Sequence, residues 1–350
     1  MGTTARRVAV ATLVVLGIVV AALALWKIRV VIALLFSGVI IASAMRPGVE
    51  WLDRRARIPR GAGVLLHYLA LLGLVVLVLS FLVPRAIDQV QQATTGNTLH
   101  HAATHSKGVK HEILTGLDKR LRRLPSGSKL IHPAVEVTKT AFEVLVGIFF
   151  MFAVGAYWIF ERDEAVELVT SLLPRAKRRV VRDTWWLIDK KLGAFVRGQL
   201  LLILFVAAVL SFAFWLDGLP YWILIGSFAG VVEIVPVIGP LAAGALAVGV
   251  GLTQDWLTAL GAGIAVLVLR QLEDYIVVPR VMGHAVGLSP LVVLVSVTGI
   301  GILLGGFYVL LAIPIAAVAA TLVDVILRDK DPAAESVPTV LFPAKDVEGR

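Results

Sequence analysis

The 350-residue chain contains no cysteine. Disulfides, thiolate metal ligands and thiol nucleophiles are therefore excluded, and the redox compartment is left open. Charge is scarce: Asp, Glu, Lys and Arg make up 16% of the residues, against about 25% in soluble domains. The patterns of known chemistry are missing as well. There is no nucleophile–base arrangement, no P-loop, no His-Glu-x-x-His and no intramembrane protease motif. The Gly-x-Gly runs at Gly249-Val250-Gly251 and Gly261-Ala262-Gly263 lie inside apolar stretches, where they permit close helix packing rather than cradle a phosphate. No enzyme, cofactor or resident metal is expected.

What the chain has in abundance is apolar sequence. It is 58% hydrophobic, with a mean hydropathy of +0.89. These values belong to a polytopic membrane protein. The net charge of +9 is read as basic residues gathered at cytoplasmic helix ends, not as affinity for nucleic acid. The first apolar run, 8–26, has the ~20 residues a bilayer crossing needs and is longer than a signal-peptide core, so it is read as a retained helix.

The remaining spans follow in order. Residues 30–45 form the second, and a basic loop with Arg46, Arg54, Arg55, Arg57 and Arg60 follows it. Residues 63–83 form the third span, ending at Pro84. The segment 84–138 is polar and is expected to be helical and extracytoplasmic. It holds His100, His101, His105, His111 and His132. His101 and His105 lie one helical turn apart, with His111 or Glu112 as a third ligand for a metal. A solvated linker is the preferred reading, because nothing completes a ligand set.

Residues 141–160 form the fourth span. The basic stretch after it places Val181, Trp185, Ile188, Leu192 and Phe195 at helical spacing. It is read as an amphipathic helix over about 175–196, lying on the inner leaflet. Residues 199–216, 256–269, 287–304 and 307–327 form further spans, and the 329–350 tail is expected to be disordered. The divisions are thus 1–83, 84–138, 139–328 and 329–350, with both termini in the cytoplasm. The count is eight crossings plus a hairpin, or ten if the hairpin arms are counted. The fold class is all-α: a polytopic integral membrane helical bundle with broken or re-entrant helices.

The broken region, 221–252, carries the functional expectation. Pro236, Gly239 and Pro240 interrupt an apolar run just after Glu233. Proline removes a backbone donor and clashes with the preceding turn. In hydrocarbon, such a break is tolerated only against protein or beside a wet cavity. An ionisable group at a discontinuous helix marks a substrate or ion site. The competing reading is a turn at the bilayer surface with Glu233 solvated. A second polar cluster follows at Arg270, Gln271, Glu273, Asp274 and Arg280, all ionisable except Gln271. Glu233, Asp274 and Glu273 are candidate ion or proton carriers, and Arg270 and Arg280 are counter-charges. Gln271 is suited to a polyhydroxylated cargo, and Gly239 to close approach of backbone. Arg197 is either a snorkelling end residue or a charge facing the bundle. The competing reading of 270–280 is an exposed loop with surface ion pairs.

Four patches resemble one family. They are Arg197-Gly198-Gln199, the run from Ile234 to Pro240, the run from Asp274 to Gly283 with its Pro279-Arg280-Val281-Met282-Gly283 core, and Gly305-Gly306 through Pro314. Together these resemble the autoinducer-2 exporter family of bacterial and archaeal permeases, over nearly the whole chain. The resemblance implies an inner-membrane transporter of a small polar molecule such as autoinducer-2, or of sodium or lithium in exchange for protons. It is compatible with a homo-oligomer. The family pattern often carries a polar amide where this chain has Glu233, and a carboxylate there is able to bind a cation or carry a proton. The remaining alternative is a membrane scaffold that transports nothing.

Overall fold

The computed structural model describes residues 3–95, 131–235, 238–281 and 287–337. His100, His101, His105, His111, Pro236, Met282, Gly283 and the 338–350 tail lie outside those residues. Among the described residues the fold is all-α. The helices are α1 (Thr3–Lys27), α2 (Arg29–Ala56), α3 (Arg60–Thr95), α4 (Ile131–Ser171), α5 (Arg175–Leu216), α6 (Trp222–Val232), α7 (Ile238–Gln254) and α8 (Trp256–Leu272). A π-helical turn at Glu273–Val277 leads into α9 (Val278–Val281), then α10 (Pro290–Leu304) and α11 (Gly306–Leu327). Among the described residues, five helices are long and apolar enough to cross a membrane, and four apolar helices are shorter.

Two helices outrun their expected ends, residue 45 for α2 and residue 83 for α3. α2 continues through Pro47 and α3 through Pro84. The stretch expected to lie flat on the inner leaflet is instead the first half of α5, one helix of 42 residues that continues into the next apolar run. Its covered face includes Thr184, Leu187, Lys191 and Ala194, so it packs against protein rather than resting on lipid. The reason is polar pairing on both sides. Arg162 of α4 donates to the buried Asp189, and Ser43 of α2 donates to the same carboxylate at 3.2 Å. Lys191 is 5% exposed. Its ammonium lies 3.1 Å from the Thr321 hydroxyl of α11 and 2.7 Å from the Glu335 carboxylate.

Two apolar cores share α5. One joins its second half to α6, α7 and α8 through Val206, Leu210, Phe214, Ile225, Ala247 and Leu269. The other joins α2, α5 and α11 through Ile40, Leu192, Tyr308 and Leu311. Gly226 and Gly230 bring α6 onto the α5 backbone near Ser211 and Ile203, and Gly251 rests on Ala259. These close contacts are what small residues provide where apolar side chains gain nothing over lipid.

At the far end of α5, Asp217 lies over Gly261, and its Oδ2 is buried without a hydrogen-bond partner. Asp255 caps α8 by accepting from Thr258 N–H at 2.8 Å. Burial, and then the Asp255 charge, hold the Asp217 carboxyl above the usual carboxylate range. Folding thus favours the protonated acid. That contribution is complete below the unfolded value of about 3.9 and is lost as pH rises through the raised folded value. Asp217→Asn should raise the thermal unfolding midpoint at neutral pH and shrink the difference between pH 4 and pH 7. An unchanged difference would show that Asp217 is solvated.

Candidate functional site

The break in the chain is built from two antiparallel helices. α6 has 11 residues and α7 has 17, or about 16 and 25 Å of rise. α6 runs antiparallel to α5, with Gly226 near Ser211, Gly230 near Ile203 and the Glu233 carbonyl near Gln199. Gln199 lies 17 residues before the end of α5 at Leu216, about 25 Å along the axis. The break therefore lies where the charged half of α5 gives way to its apolar half, at one edge of the apolar layer rather than its middle.

Position at an edge does not make Glu233 solvated. It is 9% exposed. Its carboxylate meets Arg270 Nη1 at 3.3 Å. The same guanidinium lies 3.6 Å from Glu273 and 3.0 Å from Asp274. Helical spacing explains the last two, since i+3 and i+4 lie on one face with Arg270. The π-helical turn begins at Glu273, where the Val278 N–H donates to the Glu273 carbonyl. Such wide turns recur at functional sites. Glu273 is 3% exposed, and its Oε1 has no hydrogen-bond partner. Three carboxylates thus share one guanidinium, and fully ionised the cluster keeps two negative charges uncompensated.

A gap of about 10 Å³ lies beside the cluster, lined by Glu233, Pro240, Arg270 and Glu273 and otherwise by apolar side chains such as Val206, Leu210 and Leu269. That is room for one water at most. A larger groove of about 470 Å³ lies between α5 and α8, lined by Val209, Ala213, Leu216, Ile264 and Val268 with Asp217 at one end. Its apolar wall is unsuited to a polyhydroxylated solute. Among the described residues no three His, Cys, Asp or Glu side chains converge on one metal position, so a cation at this cluster would be held by fewer than three carboxylates, in competition with Arg270.

The structure gathers Glu233, Arg270, Glu273 and Asp274 into one cluster. Gly239 stands against it, because a Cβ there would collide with the Val232 carbonyl. Gln271 and Arg280 are exposed. The Arg197 guanidinium donates to the Ser43 and Ala44 carbonyls of α2. Gln199 was legible only as a member of the Arg-Gly-Gln patch. Its amide donates to the Glu233 carbonyl at 3.2 Å.

A family model described as AI-2E family transporter matches residues 13–328. The chain belongs to the AI-2E family. Its relatives include "Putative transport protein YrrI" of Bacillus subtilis, 26% identical over 322 residues, covering 86% of this chain and 88% of the relative. "Putative transport protein MT0215" of Mycobacterium tuberculosis is 27% identical over 338 residues, covering 90% of this chain and 88% of the relative. "Putative permease PerM" of Escherichia coli K12 is 27% identical over 163 residues, covering 45% of this chain and 44% of that protein. With its apolar helices, the chain is a multi-pass membrane protein of a transporter family.

Removing the one cation should cost more than removing one acid. Arg270→Gln leaves Glu233 and Glu273 buried without a counter-charge, a loss of about 3 kcal/mol. Arg270→Gln combined with Glu233→Gln and Glu273→Gln should regain most of the lost unfolding midpoint. A triple variant no more stable than the single one would mean the carboxylates do not depend on Arg270.

Proposed function

We propose that this AI-2E family member exchanges a monovalent cation for protons across the cytoplasmic membrane. Glu233, Glu273, Asp274 and Arg270 form its ion-binding cluster. The observation that carries this reading is the surplus of buried carboxylate at a helix break, beside a gap of about 10 Å³. Burying net charge is costly unless it is paired, so the cluster attracts a proton or a small cation. Exchange follows if the two compete for the same carboxylates. Gly239 and Pro240 stand beside them. The orientation comes from the basic loops. Arg46 and Arg162 meet Asp163, and Lys191 meets Glu335, so the basic loops and the end of α11 share one side. Basic residues favour the cytoplasm, which supports a reading with the C-terminus and the cluster toward that side and the N-terminus with them.

Export of an autoinducer-2-like molecule is the second reading, and the family description favours it. It requires the gap at Glu233 to widen by more than an order of magnitude, toward the hundreds of Å³ that enclose an organic ligand.

Vesicles reconstituted with the full chain decide between these readings. An imposed sodium or lithium gradient should move protons in the wild type. Glu233→Gln should reduce that movement by tenfold or more, equivalent to ~1.4 kcal/mol, with unchanged protein in the membrane. Autoinducer-2 flux without cation-driven proton movement would select the second reading. Unaltered coupling in Glu233→Gln would remove Glu233 from the mechanism.

A further inference from the structure

We propose that Arg197 and Gln199 are positioning residues that tie two separate helix breaks to α5, and so set where Glu233 stands. The first break is in α2. Pro47 lies four residues after Ser43 inside a continuous helix. It has no N–H to give the Ser43 carbonyl. Arg197 Nη1 supplies the missing donor, at 3.4 Å from the Ser43 carbonyl and 3.0 Å from that of Ala44. The neighbouring turns of α5 support this contact. Asp189, Gly193 and Arg197 recur every four residues and so share a face. The Asp189 carboxylate accepts from the Ser43 hydroxyl. Gly193 admits the Ser43 carbonyl where a Cβ would collide with it.

The second break is the end of α6. The last carbonyls of a helix have no intrahelical donor, and Glu233 stands at that position. Gln199 Nε2 donates to its carbonyl at 3.2 Å. Gln199 lies two residues beyond Arg197, about 200° around the helix. The two side chains therefore face opposite ways, with the buried Gly198 between them. One turn of α5 thus satisfies backbone freed on both of its sides. The Pro47 turn of α2 and the break at Glu233 are held in a fixed relation through one helix.

Thermal unfolding of the purified full-length chain tests the Arg197 half without any cargo. Arg197→Met should lower the midpoint by roughly 3 °C or more, and Arg197→Lys by less. Adding Pro47→Ala returns an N–H to the α2 ladder, so the double variant should regain at least half of the loss. If Arg197→Met alone gives no folded protein, a folded double variant supports the proposal and an unfolded one overturns it. Arg197→Met at the wild-type midpoint, or no recovery with Pro47→Ala, also overturns it.

The Gln199 half rests on the ion-exchange reading for its flux arm. Gln199→Leu should raise the half-saturating sodium concentration about fivefold, ~1 kcal/mol, with the maximal rate within about twofold of wild type. Loss of maximal rate at unchanged half-saturation overturns the positioning role. If the wild type moves no sodium or protons, the functional reading fails and a second measurement still decides this one. The chain has no cysteine, so Val235→Cys gives a single label at the break. Gln199→Leu should speed its maleimide labelling about fivefold by loosening the turn. Equal labelling rates overturn the proposal.

Discussion

One guanidinium among three carboxylates is the interaction on which the rest of the structure depends. Arg270 reaches Glu273 and Asp274 along its own helix and Glu233 across 37 positions of sequence. The first two contacts follow from helical spacing, and any exposed helix end offers similar ones. The third exists only because α6 turns back where it does and delivers Glu233 to the same nitrogen. Glu233 and Glu273 are buried while Asp274 is exposed, the adjoining gap is about 10 Å³, and Glu273 Oε1 has no donor. In the ion-exchange reading, a proton or a cation added there would change which carboxylate the arginine serves.

α5 is the frame against which that cluster is placed. Its first half is fixed by buried polar pairs, Asp189 with Arg162 and Ser43, and Lys191 with Thr321 and Glu335. Its second half is fixed by apolar contact with α6, α7 and α8. A buried ion pair is weak evidence of stability, but it is exacting about partners. The polar half therefore sets register and the apolar half supplies burial. Gln199 stands at the transition between them, where α6 ends.

Much of this was legible in the sequence. The apolar runs, the interruption after Glu233 and the identities of the cluster residues all follow from composition, proline and charge. The charge pattern gave the wrong stop in α2, where the run from Arg46 reads as a loop. In the fold the helix continues to Ala56, and Arg197 arrives from 150 residues beyond Pro47 at the carbonyl that proline leaves without a donor. Lys190 and Lys191 illustrate the same limit. As neighbours in a basic run they read as one solvated face. In the fold Lys190 lies over the Trp186 ring, while Lys191 is buried against Thr321 and Glu335. No local pattern carries that difference, because it comes from residues 130 or more positions downstream. The depth of the break was hidden too. Hydropathy locates an interruption along the chain, but only the pairing of Gly226, Gly230 and Glu233 with α5 gives its height.

That height bears on what any cargo must cross. With the cluster at one edge, the barrier lies almost wholly on the other side of it, along the seam between α5 and the α6–α8 helices. The seam contains Gly226, Gly230, Ala243, Ala247 and Gly251, together with larger residues such as Phe214 and Leu219. Small residues give close backbone contact without deep interdigitation, so the helices are able to slide along one another with few side chains to withdraw. α6 spans only about 16 Å of the ~30 Å hydrocarbon thickness, and the turn from Asp217 to Tyr221 occupies part of the remainder. In the ion-exchange reading, a short helix packed through small residues asks less displacement of the fold for a bare ion than for an organic solute.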